Sequence, residues 1–368
     1  MNYDYDDLQP FYSSVIDSTY ASSSSEEQSS HPVTPPRRSS RTDRHAPERV
    51  GFSPGKFGMV RNSDGSITRL QEPLVPVDTS NDLSHLVFTK DISINSSKNT
   101  WARIILPREL LHSTTNTPKL PLVIYFHGGG FIVATVDTPV FQGLYASIAS
   151  EIPAVVVSIE YRQAPEHRLP AAYDDCMEAL HWIKTKPDEL LSNHADFSKC
   201  FLMGTSAGGN VVYHVGLRAA ESWDNLKPLE IKGLILNQPF FGGIERTQSE
   251  VRLVNDNMLP PIISDIMWDL GLPEGADRDH EYSNPMVGIE SNPNLFDQVK
   301  LLGWKMLVTG CDGDPLIDRQ VDLVRVLKEL GVQVEGSFTQ GAYHGSEVVD
   351  PLKAKEFSLL VKKLISHL

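Results

Sequence analysis

Cys176, Cys200 and Cys311 are the only cysteines in 368 residues, an odd number too widely spaced for a disulfide framework or a zinc knuckle. No apolar run approaches the roughly 18 residues of a membrane-spanning helix. The opening MNYDYDDLQP carries neither the basic nor the apolar stretch of a secretion signal. A reducing, cytoplasmic compartment with no membrane partner is therefore expected, and the acceptor-like Asn95-Ser96-Ser97 is discounted as a glycosylation site. Basic residues are in deficit: 33 Lys and Arg against 47 Asp and Glu leave a net charge of -14, which disfavours nucleic acid as a partner. The H-E-x-x-H, paired Cys/His and G-x-G-x-x-G patterns are missing, so neither metal nor cofactor is expected. A small neutral ligand suits this balance.

What is present falls into two grammars. Residues 1 to about 50 hold ASSSSEEQSS and HPVTPPRRSSR, rich in Ser, Pro and charge, and read as a disordered or loosely structured extension. From 51 to 368 the chain reads as one folded domain. NSDGSITRL offers a turn at Asp64-Gly65 and a short strand, and LVFTKDISI with TWARIILP reads as an antiparallel pair around a loop at Asn95 to Asn99. Six apolar runs follow, LVIYF, AVVVSIEY, CFLMG, LILNQ, KMLVTG and the weaker VQVEGSF. Between them lie helical patterns such as TPVFQGLYASIASE, AAYDDCMEALHWIKTK, GGNVVYHVGLRAAES and DRQVDLVRVLKELG. This alternation predicts an α/β fold: a mostly parallel central sheet with helices on both faces and its ligand site beyond the carboxyl ends of the strands. Residues 240 to 290 break the rhythm with TQSEVRLV and PPIISDIMWDLG between Gly- and Pro-rich loops. They read as a small helical cap.

Three features carry chemistry. GTSAG at 204 to 208 places Ser206 between a strand and a helix, the setting of a nucleophile elbow. By accident G-x-S-x-G occurs in roughly one chain of this length in seven, so the motif needs support. His127-Gly128-Gly129-Gly130 supplies it, directly after LVIYF. Such a glycine loop turns backbone N–H groups toward a developing oxyanion, which makes Gly128, Gly129 and Ala207 the candidate donors. A serine hydroxyl also needs a base. In the chain order Ser, acid, His, Asp314 of CDGDPLID follows KMLVTG and His344 of AYHGSEV follows VEGSFTQG, each just past an expected strand. Asp312 and Asp318 read alternatively as turn or helix-cap residues. Gly204 to Gly209 has phosphate-loop spacing, but Asn210 stands where lysine is needed, and 312 to 317 begin like a calcium loop without its later ligands. Phe131, Phe241 and Trp268 are the candidates for a substrate pocket, with Phe240 beside them.

HGGG at 127 to 130, EYRQAPEHRLPAAYDD at 160 to 175, GTSAGGN at 204 to 210, DGDPLID at 312 to 318 and His344 together resemble the hormone-sensitive-lipase-like branch of the α/β-hydrolases. With DGSITRL and SKNTWARIILP they look most like its plant carboxylesterases. The resemblance spans about residues 55 to 368. It implies an α/β-hydrolase fold with a cap built partly from the N-terminal region, and a serine carboxylesterase with a Ser206-His344-Asp314 triad, acting on short- to medium-chain esters through an acyl-enzyme. One position departs from the pattern: Thr205 stands where that family usually has Asp. The same resemblance supplies rivals, a dehydratase-like lyase or transferase and a gibberellin-receptor-like hormone-binding protein. Ser206 opposes the first and His344 the second.

Overall fold

In the computed structural model, residues 59–62, 66–69, 86–112, 118–185 and 188–366 are described. The extension 1 to 50 and the Asp64-Gly65 turn lie outside them. β1 (Met59–Arg61) and β2 (Ile67–Arg69) pair as a small antiparallel ribbon. β3 (Val87–Asn95) and β4 (Thr100–Pro107) then form the expected antiparallel pair at one edge of an eight-stranded sheet.

The remaining strands are β5 (Leu120–Phe126), β6 (Val155–Glu160), β7 (Ala195–Thr205), β8 (Ile231–Asn237), β9 (Lys305–Gly313) and β10 (Val334–Tyr343). Their order across the sheet is β10-β9-β8-β7-β5-β6-β4-β3, and all pairs from β10 to β6 are parallel. Runs such as LVIYF and VVVSI are buried at every residue because both faces of the sheet are covered. Against one face pack α1 (Pro139–Glu151) and α11 (Pro351–Ser366); against the other pack α2 (Ala171–Thr185), α4 (Ala207–Glu221) and α9 (Ile317–Glu329). α11 buries Ala354, Phe357, Val361 and Leu364, a stripe at helical spacing worth roughly 1.5–3 kcal/mol for each large side chain.

Shorter helices occupy the connections: α3 (Glu189–His194), α5 (Gln248–Arg252), α6 (Pro261–Gly271), α7 (Pro285–Ser291), α8 (Asp297–Leu301) and α10 (Ser346–Val349). None of the helices among the described residues is long and apolar enough to cross a membrane. The chain runs from β5 to β6 on one side and then returns to place β7 on the other side of β5. That reversal opens a crevice at the carboxyl ends of β5 and β7, where Phe126 and Gly204 are register partners. The glycine loop and the serine turn are thereby set side by side.

Two strands exceed their apolar runs. β7 begins at Ala195, five residues before Cys200, because Asp196 caps a turn through Ser198 N at 3.0 Å and the pairing with β5 resumes after a shift. β10 continues to Tyr343 across a register shift after Thr339.

Candidate active site

Ser206 stands at the sharp turn between β7 and α4 with φ 57° and ψ -118°, a backbone conformation that costs an L-residue of order 1–3 kcal/mol. Its surroundings hold it there. Ser206 N donates to Asn237 O at 2.9 Å, and Ser206 O accepts from Phe240 N at 2.9 Å and Asn210 N at 3.1 Å. Gly208 is required because a Cβ there would collide with Phe126 O, so the helix start and β5 touch backbone to backbone.

Ser206 is 8% exposed, and its hydroxyl lies 2.8 Å from His344 Nε2. His344 Nδ1–H donates in turn to Asp314 Oδ2 at 2.9 Å. Asp314 is fully buried, and its carboxylate also accepts Leu316 N at 2.9 Å and Gln320 Nε2 at 2.8 Å. With Asp314 as acceptor, the imidazole presents an unprotonated Nε2 to the serine. Burial pulls the His344 pKa down, but the charge and hydrogen bond of Asp314, with Glu347 and Asp256 behind, outweigh it and leave the pKa above the ordinary 6.5. Ser206, Asp314 and His344, read from three separate stretches of sequence, thus form one hydrogen-bonded line. Asp318 is elsewhere, its Oδ2 accepting Ser249 N at 2.7 Å. Asp312 Oδ1 accepts Gly341 N at 2.9 Å.

The glycine loop lies against the elbow. A Cβ on Gly128 would sit 3.0 Å from Thr205 O and 3.4 Å from Ser206 Cβ. Gly129 has φ 109°, and its carbonyl accepts Ile132 N at 3.0 Å and Val133 N at 2.9 Å, closing the turn. Gly130 faces the Met267 side chain of α6. From the N-terminal ribbon, Arg69 donates to Ile132 O at 2.5 Å and to Ala164 O at 2.6 Å. Tyr161 OH donates to His127 O at 2.8 Å, with the two rings stacked at 4.3 Å.

His127 Nδ1–H donates to Gly128 O at 2.8 Å, which leaves Nε2 as a lone pair 3.6 Å from Glu160 Oε2. Burial lowers the His127 pKa to about 4 and raises that of Glu160 to about 7. Between those values both groups are neutral, so this contact is not an ion pair. Glu160 Oε2 also accepts Val136 N at 2.7 Å and so tethers the far end of the glycine loop.

Phe131, Phe241 and Trp268 are each 2% exposed or less. Phe131 and Trp268 join Phe240 in one aromatic cluster, in which Trp268 and Phe240 stack at 4.7 Å. Phe241 is turned away from it and packs on Tyr213 at 5.5 Å.

Several polar residues that organise the site escaped the motif reading: Gln238 beside the histidine loop, Gln320 on Asp314, Glu160 on the glycine loop, and Asn237 and Glu347 below the elbow. Their sequence signal is weak but physical. Asn237 and Gln238 are polar residues closing the buried apolar run LILNQ, at the edge where such sheets bind ligands.

A family model described as the alpha/beta hydrolase fold matches residues 123–347. Carboxylesterase 20 of Arabidopsis thaliana is 49% identical over 312 residues, covering 84% of this chain and 95% of that protein. A 3-O-acetylpapaveroxine carboxylesterase of Papaver somniferum is 46% identical over 286 residues, 75% of this chain and 88% of its own. Among solved structures, an esterase from the archaeon Pyrobaculum calidifontis superposes with a TM-score of 0.61 at 26% identity over 76% of this chain and 82% of that one. The chain belongs to the α/β-hydrolase family and, within it, to the plant carboxylesterases.

Proposed function

We propose that the protein is a serine carboxylesterase that cleaves small neutral esters of short to medium acyl chain through an acyl-enzyme. The observation that carries the reading is the line from Ser206 Oγ through His344 to Asp314, at 2.8 and 2.9 Å, built on a strained elbow beside a glycine loop. Ser206 Oγ attacks the ester carbonyl while His344 Nε2 takes its proton, and Asp314 holds the tautomer and stabilises the imidazolium. The N–H groups of Gly128, Gly129 and Ala207 receive the tetrahedral oxyanion. His344 then protonates the departing alkoxide. Water, deprotonated by the same imidazole, releases the acid and frees the serine.

No step asks for a metal or cofactor. Short acyl groups suit a site in which Phe131, Phe240 and Trp268 fill the space beside the glycine loop. The name of the poppy relative, a carboxylesterase acting on an O-acetyl compound, supports acetyl-sized groups here. A net charge of -14 suits neutral esters over acidic partners. The test is hydrolysis of p-nitrophenyl acetate, butyrate and octanoate by the wild type and Ser206→Ala. Turnover falling from acetate to octanoate and abolished in Ser206→Ala is expected; undiminished turnover in Ser206→Ala would overturn the reading.

A further inference from the structure

We infer that Glu347 is a second acid of the catalytic apparatus, a positioning residue that anchors the histidine loop beneath the nucleophile and adds negative charge beside His344. The inference rests on the esterase reading above. Its ground is a buried polar cluster on the side of the elbow away from the glycine loop. Glu347, Asn237, Thr205 and Thr309 are 4, 3, 2 and 7% exposed. Asn237 Nδ2 uses both hydrogens, one toward Glu347 Oε1 at 2.5 Å and one toward Thr205 Oγ1 at 3.0 Å. Asn237 Oδ1 accepts from the Thr309 hydroxyl. Tyr125 OH also donates to Thr205 Oγ1 at 2.8 Å. Thr205, accepting twice, has its own proton left to give, and the acceptor beside it is the Glu347 carboxylate.

Burial raises the Glu347 pKa above the ordinary 4.5, and the charge of His344 with the convergent donors Asn237 and Thr205 pulls against that rise in favour of the carboxylate, in a cluster that ties β5, β7, β8 and β9 to α10. Its two ends bear on chemistry. Thr205 is the residue before the nucleophile, and Glu347 is three residues after the base, across the left-handed Gly345 (φ 75°). Thr205 and Glu347 thus meet through one shared carboxamide, that of Asn237.

The groups facing His344 are Ser206 from the elbow, Asp314 from the β9 loop, Asp256 from beyond α5 and Glu347 from α10. Those facing Glu347 are His344, Tyr125 from β5, Cys311 from β9 and Tyr343 from β10, besides the neutral Asn237, Thr205 and Thr309. Lys353, Glu356 and Lys363 of α11 line with Glu347 a cavity of about 730 Å³ that neither Ser206 nor His344 lines. α1, packed on the other side, contributes Tyr145 and a Glu151 already paired with Lys355. A negative charge so placed favours the imidazolium that forms as Ser206 attacks, and burial of Glu347 leaves it little screened.

The experiment is the pH profile of kcat/KM for p-nitrophenyl acetate from pH 5 to 9, with Tm and active-site titration by a fluorophosphonate. It compares wild type, Glu347→Gln and the transposed Thr205→Asp/Glu347→Gln. Glu347→Gln keeps the shape and removes the charge. Its rise of kcat/KM with pH is expected about half a unit or more below that of wild type, with kcat down roughly tenfold and KM little changed. The transposed variant restores the wild-type limb and most of kcat. Loss of kcat with an unmoved limb, or a transposed variant that restores nothing, would overturn the inference, because a merely structural Glu347 predicts both. If Glu347→Gln fails to fold, the transposed variant decides: folded with a wild-type limb it supports the inference, unfolded or displaced it overturns it. A wild type that neither labels nor turns over ester would sink the esterase reading itself, whereas an active wild type with an indifferent Glu347→Gln sinks this inference alone.

Discussion

Gln238 Oε1 accepts the N–H of Gly345 at 2.6 Å, while the same side chain donates through Nε2 to Tyr343 O at 3.4 Å. One carboxamide at the end of β8 therefore brackets both peptide groups that flank His344. Gln238 is itself held in place, its N donating to Thr309 O at 3.2 Å and its backbone at φ 43°. The base is fixed by its neighbours in the chain as much as by Asp314. Gln238→Ala should lower kcat roughly 10- to 100-fold through a displaced imidazole, with KM nearly constant. Steady-state kinetics with p-nitrophenyl butyrate checks this; an unchanged kcat would show that Asp314 alone orients the ring.

The two carboxylates after β9 do different work. Asp314→Asn should reduce kcat by about 10⁴, because an amide opposite Nδ1 favours the wrong tautomer. Asp318→Asn, whose native partner is Ser249 N, should cost less than about tenfold. Parallel kinetics on the two variants separates the roles, and equal losses would mean that the acid has been misassigned.

His344 must be neutral to accept the serine proton. Its pKa lies above 6.5, so kcat/KM should be low at pH 6 and rise to half its maximum at a pH above 6.5. Stopped-flow or plate-based rates from pH 5 to 9 test the direction. A half-maximum below 6.5 would mean that burial, not Asp314 and its acidic neighbours, dominates the imidazole.

Glu160 contributes a stability effect of defined sign. Its folded pKa, about 7, exceeds the ordinary 4.5, so the fold favours the protonated acid. Nothing is lost below pH 4.5, and a cost on the order of a few kcal/mol develops as pH rises from 4.5 to 7. Glu160→Gln keeps an acceptor for Val136 N and removes the ionisable group. Its Tm relative to wild type should therefore be higher at pH 8 than at pH 4.5. A difference independent of pH, measured by differential scanning fluorimetry, would show that Glu160 is not held protonated by the fold.

The sheet and the triad candidates were legible in the sequence because each rests on a local signal. Apolar runs mark strands buried on both faces, glycines mark the elbow and the loop, and Asp314 and His344 follow strands in the required order. α11 was legible in principle, since Ala354, Phe357, Val361 and Leu364 recur at helical spacing. The polar residues around the triad were not. Gln238 and Glu347 act through partners 107 and 110 residues away, so their roles appear when the strands are side by side, while Gln320 is one ordinary polar residue on α9 until the fold turns it onto Asp314. Of the aromatic residues, Phe131 and Trp268 converge while Phe241 turns toward Tyr213. Adjacent residues in an extended loop point to opposite sides, and composition does not tell which side is which.

The central claim is that Ser206 becomes acylated, and intact-mass and peptide mass spectrometry after acid quench of the reaction with p-nitrophenyl acetate tests it most directly. The account predicts a single acetyl adduct on the peptide containing Ser206, formed in the wild type at a pH where His344 is neutral, trapped by the acid quench, and absent in Ser206→Ala. Turnover with no adduct on Ser206, or an adduct on another residue that persists in Ser206→Ala, would contradict it.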